Sequence, residues 1–238
     1  MVCRAVPVSD ERQTEGEGDA PPTVLGHDDE GDLVVDAETL RRECLGMSKV
    51  WTCRGERPSA VSNHLMKDLS PAWKMMLLSD GSVTRHVELL TGGDVRVECL
   101  EMESLDESSS SSGPVLVPDD CLSIPGPVIQ RQVFLYSESV QEPCVYAVSW
   151  WNKTKAEAFL TDVKSPIWVN LSDNKTELFR EVKTLYSGHS PELERHMKVD
   201  GPFWARHYCF WHGDELLTVI FEAFSNKLDD YLSDDLCN

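Results

Sequence analysis

The sequence predicts an α+β fold, in which an antiparallel sheet carries helices packed on one face. Two observations predict this class. Strand-like segments with alternating apolar residues follow one another across short turns, as in antiparallel hairpins. Segments that open with serine and then proline, a start typical of helices, lie before or between those strand pairs.

The first predicted elements follow a weakly helical stretch over residues 37–69. Ser70 and Pro71 supply an N-cap and a first helical position, so we expect a short helix in "SPAWKMMLL". We expect a second helix in "GSVTRHVELLTGG", where apolar residues recur at helical spacing between Ser82 and Gly92. The alternation in "DVRVECLEM" then predicts a strand.

The second half is predicted to continue with strands and helices. "IQRQVFLYSES" and "CVYAVSWW" are expected to pair as a hairpin. Thr154 and Glu157 form a predicted capping box for a helix that Pro166 ends. "DNKTELFREVKTLYSG" is predicted as an amphipathic helix, and "SPELERHMKVDG" as a further helix with a Ser-Pro start. The last two strands, in "FWARHYCFWHGDELLTVIFEAFS", are expected to be joined at "HGDE".

The chain is predicted to hold one folded domain, over residues 37–238, behind an acidic tail. Residues 1–36 combine many acids, glycines and prolines, and therefore bury too little apolar surface to offset the entropy of ordering. We expect that tail to be disordered. The serine-rich connector near residues 104–127 is predicted to be a flexible surface loop within the domain.

Charge and cysteine content exclude several classes of protein. A formal net charge of −19 without any basic stretch argues against a nucleic-acid partner. No apolar run approaches the roughly 20 residues that span a bilayer, and no signal pattern is seen, so we expect a soluble intracellular protein without a membrane partner. The eight cysteines are scattered, and the pattern "HYCFWH" lacks a second cluster of ligands. We expect no disulfide, metal or cofactor.

Three charged residues stand inside otherwise apolar strands. Glu222 shares its predicted face with Thr218, Ile220 and Phe224, and an unpaired buried carboxylate costs several kcal/mol. Arg131 and Arg206 are predicted to point at the core in the same way. These groups form either a buried structural ion network or the wall of a pocket for an anionic ligand.

Several segments together resemble the chorismate pyruvate-lyase family, particularly its algal and cyanobacterial branch. They are "SPAWKMMLLSDGSVTRH", "RQVFLY", "SPIWVNLSDNKTELFREVKTLYSG", "GPFWARHY" and "IFEAFS", in this order, between about Asp68 and Leu232. The resemblance implies a six-stranded antiparallel sheet, with the ligand buried beneath helical flaps. It also implies a lyase that eliminates pyruvate from chorismate, or a related aromatic acid, to leave a hydroxybenzoate, in the cytoplasm or the plastid stroma.

The resemblance also implies roles for individual residues. Arg131 falls on the family's substrate-binding arginine, and Glu222 falls on the carboxyl group that contacts the ring hydroxyl. Val83 and Ile167 fall on positions whose backbone contacts the substrate. Arg206 matches a family position in the substrate-binding region for which the resemblance implies no defined role.

One departure from the family pattern keeps a second function open. Bacterial members often carry a Gly-Arg pair on the strand "CVYAVSWW", where this chain has Val148 and Ser149. Loss of a cation affects the binding of a dianion such as chorismate. The alternatives are therefore a non-catalytic module that binds an aromatic carboxylic acid, and a scaffold in which Arg131 and Glu222 only pair with each other.

Overall fold

The computed structural model describes residues 47–52, 69–105, 118–140, 142–160, 162, 165–167, 169–170 and 178–232. The predicted acidic tail and residues 106–117, which are half of the predicted serine-rich loop, lie outside these residues. The described strands are β1 (Ser48–Thr52), β2 (Val95–Ser104), β3 (Val128–Ser137), β4 (Val145–Asn152), β5 (Phe179–Gly188), β6 (Phe203–His212) and β7 (Glu215–Phe224). They form one seven-stranded sheet in the order β1-β5-β6-β7-β4-β3-β2, and every neighbouring pair is antiparallel.

The described helices are α1 (Pro71–Leu78), α2 (Val83–Thr91), α3 (Lys153–Phe159), α4 (Pro191–Met197) and α5 (Asp229–Leu232). Predicted serine caps are confirmed, because the side chains of Ser70 and Ser82 accept hydrogen bonds from backbone N–H groups of the first helical turns of α1 and α2. Gly92 ends α2 in the left-handed conformation, at φ 70°. The α+β class with an antiparallel sheet is likewise confirmed.

The sheet has an apolar layer on each face. One layer contains α1, α2 and α3, whose buried residues pack with strand residues such as Val133, Leu135 and Ile220. The other layer contains α4 and a 3-10 turn at Asp119–Ser123, which pack with Phe134 and other strand residues. Most of the described helices therefore share one face of the sheet, and this face also carries the candidate site.

Two predicted helices are corrected by the structure. Residues 173–188 were expected to form an amphipathic helix, but Phe179–Gly188 is the strand β5. The weakly helical stretch over residues 37–69 contains the strand β1. A third predicted helix, α3, is present, but it ends at Phe159 rather than at Pro166, and Asn152 rather than Thr154 caps it by accepting from the N–H of Lys155.

A β-bulge in β5 explains why the sequence pattern predicted a helix where the structure has a strand. The pairing of β5 with β6 shifts between Val182 and Thr184, so that Val182 lies opposite Tyr208 and Leu185 lies opposite Arg206. Both apolar residues consequently face the α1–α2 side, although they are three positions apart. An extra residue in a strand changes its two-residue alternation into a three-residue spacing, which resembles one face of a helix.

Candidate functional site

The candidate site is a cavity of about 300 Å³ between the sheet and the segment that joins α1 to α2. Its wall is mostly apolar and aromatic, with contributions from β2, β3, β4, β5, β6 and β7. Four charged residues also line it, namely Asp80, Arg131, Arg180 and Glu222. A mostly apolar cavity with a few convergent charges is typical of a small-molecule site.

Glu222 has two hydrogen-bond donors inside the protein. Its side chain is buried, Oε2 accepts from Arg206 Nε at 2.9 Å, and Oε1 accepts from the hydroxyl of Tyr208 at 2.8 Å. The register places Arg206 directly opposite Glu222 on the neighbouring strand. The partner of the buried carboxylate is therefore Arg206, and Arg131 lies elsewhere in the sheet.

Tyr208 is held in its neutral form. Burial raises the pKa of its hydroxyl far above the usual range, and the nearby Glu222 carboxylate raises it further, against the lowering effect of the Arg180 and Arg206 guanidiniums. A neutral hydroxyl remains a donor to Glu222 over the whole physiological pH range.

Arg206 is fully buried but does not line the cavity. In addition to its bond to Glu222, its Nη1 donates to the carbonyl oxygens of Leu77 and Ser79, both at 3.0 Å. These carbonyls belong to the C-terminal end of α1, where a cation also interacts favourably with the helix dipole. The structure thus brings Arg206 next to Glu222 but behind the cavity wall.

Arg131 lies at the cavity wall on β3, with 2% of its surface exposed. Its Nη2 donates to the carbonyl oxygen of Ser165 at 3.1 Å. Burial lowers the pKa of Arg131, whereas the Cys99 thiol and the Asp162 carboxylate oppose that shift. A desolvated guanidinium in this position would be stabilised by an anionic ligand in the cavity.

Val83 and Ile167 also line the cavity. Val83 is the first residue of α2 and follows the Ser82 cap, whereas Ile167 follows Pro166. The structure therefore brings four of the five predicted site residues, Arg131, Glu222, Val83 and Ile167, to one cavity. The individual roles that the resemblance implies for them stay predictions.

Arg180 is a site residue that the sequence analysis did not identify. Its guanidinium lies 4.3 Å from the ring centre of Tyr208 and 4.7 Å from that of Phe210, and it donates from Nη1 to the carbonyl oxygen of Gly81. Its Nε is buried and has no hydrogen-bond partner among the described residues. Burial lowers the pKa of Arg180, and the nearby Arg206 contributes in the same direction.

A second polar group lies on the opposite face of the sheet. His207 bridges two residues, because its Nε2 lies 3.0 Å from Asp120 Oδ2 and its Nδ1 lies 2.7 Å from the hydroxyl of Tyr186. Within the part of the chain that the structure describes, no group of three or more His, Cys, Asp or Glu side chains is arranged to hold a metal ion. None of the described helices is long and apolar enough to cross a membrane.

Comparison with known proteins identifies the family. A family model described as Rv2949c-like chorismate pyruvate-lyase matches residues 77–232, more than half of the chain. The chain belongs to this family.

Relatives of this chorismate pyruvate-lyase family member include algal proteins. It is 37% identical over 153 residues to the protein ycf21 of Cyanophora paradoxa, a match that covers 64% of this chain and 76% of the relative. It is 28% identical over 159 residues to ycf21 of Porphyra purpurea, covering 67% of this chain and 83% of the relative. Among solved structures, PhnF from Mycobacterium smegmatis has a TM-score of 0.48 and 12% identity, covering 66% of this chain and 67% of that chain.

Proposed function

We propose that this protein is a lyase that eliminates pyruvate from chorismate, or from a closely related aromatic acid, and leaves a hydroxybenzoate. The observation that carries the proposal is the cavity itself, which combines two arginines, Arg131 and Arg180, with the buried carboxylate of Glu222. Membership of the family supports the same reaction. The cytoplasm or plastid stroma remains the predicted compartment.

The cavity suits a small dianion. A volume of about 300 Å³ lies at the lower end of the range for ligand pockets, as expected for a ligand built on a single ring. Chorismate carries two carboxylates, and guanidinium groups suit carboxylate recognition. We assign one carboxylate to Arg131 and the other to Arg180, which lines the cavity and stacks on Tyr208 and Phe210.

In this proposal Arg180 replaces the cation that is missing at Ser149. That serine lies opposite Arg131 in the pairing of β3 with β4, at a position where related bacterial proteins often carry arginine. The second cation in this chain comes from β5, on the other side of Glu222 in the strand order. The number of cations available to a dianion is therefore maintained from a different strand.

The reaction needs little covalent chemistry from the protein. The ether bond between the ring and the enolpyruvyl group breaks, the ring carbon that bears the hydroxyl loses a proton, and the released enolpyruvyl group takes up a proton to become pyruvate. Formation of the aromatic ring drives this elimination. The protein must hold both carboxylates and stabilise charge that develops on the departing oxygen, which is a matter of positioning and electrostatics.

In this proposal Glu222 contacts the ring hydroxyl. Each carboxylate oxygen can accept more than one hydrogen bond, and the donors described above occupy one site on each oxygen. Glu222 lines the cavity, so this remaining capacity supports a contact with a ligand. In our proposal this carboxylate orients the substrate hydroxyl or accepts the proton that the ring loses.

One observation favours a second function, the binding of an aromatic carboxylic acid without turnover. Both oxygens of Glu222 are engaged by Arg206 and Tyr208, which is also what a purely structural ion pair requires. A binding module would need Arg131 and the apolar wall but no chemistry at Glu222.

Incubation of the purified protein with chorismate, followed by assays for pyruvate and for hydroxybenzoates, separates the two functions. Stoichiometric release of both products supports the lyase, whereas saturable binding of hydroxybenzoate without release of pyruvate supports the binding module. The absence of both turnover and binding would refute both functions.

Arg131→Ala tests the carboxylate anchor. Loss of a charge-assisted hydrogen bond in a dry cavity is worth about 1.5–3 kcal/mol, so we expect hydroxybenzoate affinity to fall about tenfold to a hundredfold in a titration. The matched control is Arg96→Ala, because the Arg96 side chain is 61% exposed and pairs with Glu98 on the surface. Unchanged affinity in Arg131→Ala would contradict the assigned role.

A further inference from the structure

The segment that covers the cavity is held in place by arginines. Residues 79–82, which we call the cover loop, join α1 to α2 and are exposed or only partly buried. Asp80, Gly81 and Ser82 from this loop line the cavity. Because none of the four residues is apolar and buried, their position depends on polar contacts.

Three backbone carbonyls at or beside the cover loop accept hydrogen bonds from two guanidiniums. Arg206 Nη1 donates to Leu77 O and Ser79 O, and Arg180 Nη1 donates to Gly81 O. The two arginines lie on the adjacent strands β5 and β6, on the face that carries the cavity. The cover loop is therefore attached to strands β5 and β6 through side chains of the sheet.

Arg206 differs from Arg180 because the same guanidinium also holds Glu222. Its Nε donates to Glu222 Oε2 at 2.9 Å while its Nη1 holds the loop. A guanidinium is planar and rigid, so the direction of one hydrogen bond fixes the direction of the others. Arg206 is also fully buried, which leaves its charge compensated by Glu222 and by the carbonyls rather than by solvent.

We propose that Arg206 is a positioning residue that sets the Glu222 carboxylate and the cover loop in one shared arrangement. The cavity is then covered in the same state in which its carboxylate points at the ligand. The consequence for turnover rests on the function proposed above, whereas the coupling between loop and carboxylate does not.

The test compares three variants by amide hydrogen exchange and by chorismate turnover. Arg206→Gln removes the cation. Arg206→Lys keeps the charge, but its ammonium group lacks the planar fork that bridges Glu222 to the loop. Tyr208→Phe is the matched control, because it removes the other hydrogen bond to Glu222 and leaves the loop contacts in place.

The amides to be followed lie at the first residue of the cover loop and in the first turn of α2. Ser79 N–H donates to Met75 O, and Arg85 and His86 N–H groups donate to the Oγ and the carbonyl of Ser82. We expect these amides to exchange about tenfold faster in Arg206→Gln and in Arg206→Lys, the factor for losing one or two hydrogen bonds that keep the loop closed. In Tyr208→Phe we expect no change in their exchange.

Turnover per folded molecule is a second measurement, which would not change if Arg206 only stabilised the fold. Arg206→Lys keeps a cation beside Glu222 and is expected to fold, with a melting temperature lowered by the lost loop hydrogen bonds. It should also lower kcat per folded molecule by about tenfold or more, because the planar bridge that orients Glu222 is gone. Turnover is measured per folded molecule, and kcat and KM are determined separately.

The outcomes separate this proposal from the proposed function. Unchanged loop exchange in both Arg206 variants would overturn the coupling, as would equal acceleration in Tyr208→Phe. An unchanged kcat in Arg206→Lys would overturn the effect on Glu222. If the wild type releases no pyruvate, the proposed function fails while the exchange data still decide the coupling. If Arg206→Gln does not fold, Arg206→Lys provides the same comparison.

Discussion

Glu222→Gln changes the charge of the buried pair while keeping the shape of the side chain. The amide oxygen can still accept from Arg206, and the amide nitrogen can donate to the Tyr208 hydroxyl, so both contacts seen at 2.9 and 2.8 Å can be retained. What is lost is the negative charge opposite a fully buried guanidinium. Breaking a buried ion pair in this way costs about 3–5 kcal/mol, and the retained hydrogen bonds place our expectation near 3 kcal/mol.

The assay is equilibrium unfolding in urea together with a thermal melt. For a domain of this size, 1 kcal/mol corresponds to about 2–4 °C, so we expect Tm to fall by about 6–12 °C. The matched control is Glu215→Gln, which makes the same chemical change in the same strand. Glu215 pairs with Lys155 at 2.8 Å, but the two side chains are 51% and 35% exposed, and such surface pairs contribute about 1 kcal/mol or less.

Turnover of the same Glu222→Gln protein tests the chemistry separately. If Glu222 acts on the substrate, kcat per folded molecule should fall more than tenfold, a loss of more than about 1.4 kcal/mol of transition-state stabilisation. A stability equal to that of Glu215→Gln would refute the argument from the buried ion pair. A destabilised protein with normal turnover per folded molecule would refute the catalytic role.

Two further predictions concern pH. Burial, with contributions from Arg206 and Arg180, lowers the pKa of His86 below 6.5, so protonation favours the unfolded chain and the free energy of unfolding should fall as the pH drops below about 6.5. In urea unfolding, the stability of His86→Gln should depend less on pH than that of the wild type. An equal pH dependence in the two proteins would contradict this. The hydrogen bond to His207 lowers the pKa of Asp120 below 3.8, so its contribution is present above that pH and is lost as the carboxyl is protonated. The Asp120→Asn protein should therefore lose less stability than the wild type below about pH 4 in acid unfolding. An identical fall in stability in the two proteins would show that this carboxyl contributes little.

Local signals in the sequence predicted the parts of the fold that local contacts determine. The caps at Ser70, Ser82 and Ser190 each satisfy an N–H in the first turn of their own helix, so a few neighbouring residues are sufficient to specify them. The hairpins β3–β4 and β6–β7 were predictable for the same reason. The strand β5 was not, because its bulge is defined by pairing with β6 and leaves a helical spacing in the sequence.

The alternation of side chains along strands limited the candidate partners of Glu222 to two arginines but did not decide between them. Alternation correctly predicted that Arg131 and Arg206 are buried. The choice between them depends on strand order, because β6 is adjacent to β7 whereas β4 separates β3 from β7. Arg180 was missed because it belongs to β5, so the error in that element removed a cation from the predicted site.

The burial of β7 has a consequence for the substitutions that this protein can accept. From Leu216 to Phe224 every residue of β7 is buried, because layers cover both faces of the sheet, whereas the edge strand β2 keeps partly exposed positions along its length. Antiparallel strands with one solvated face usually tolerate change at every second position. In a saturation mutagenesis experiment, β7 should show an unbroken run of intolerant positions, while tolerance should return at alternate residues in the first half of β2.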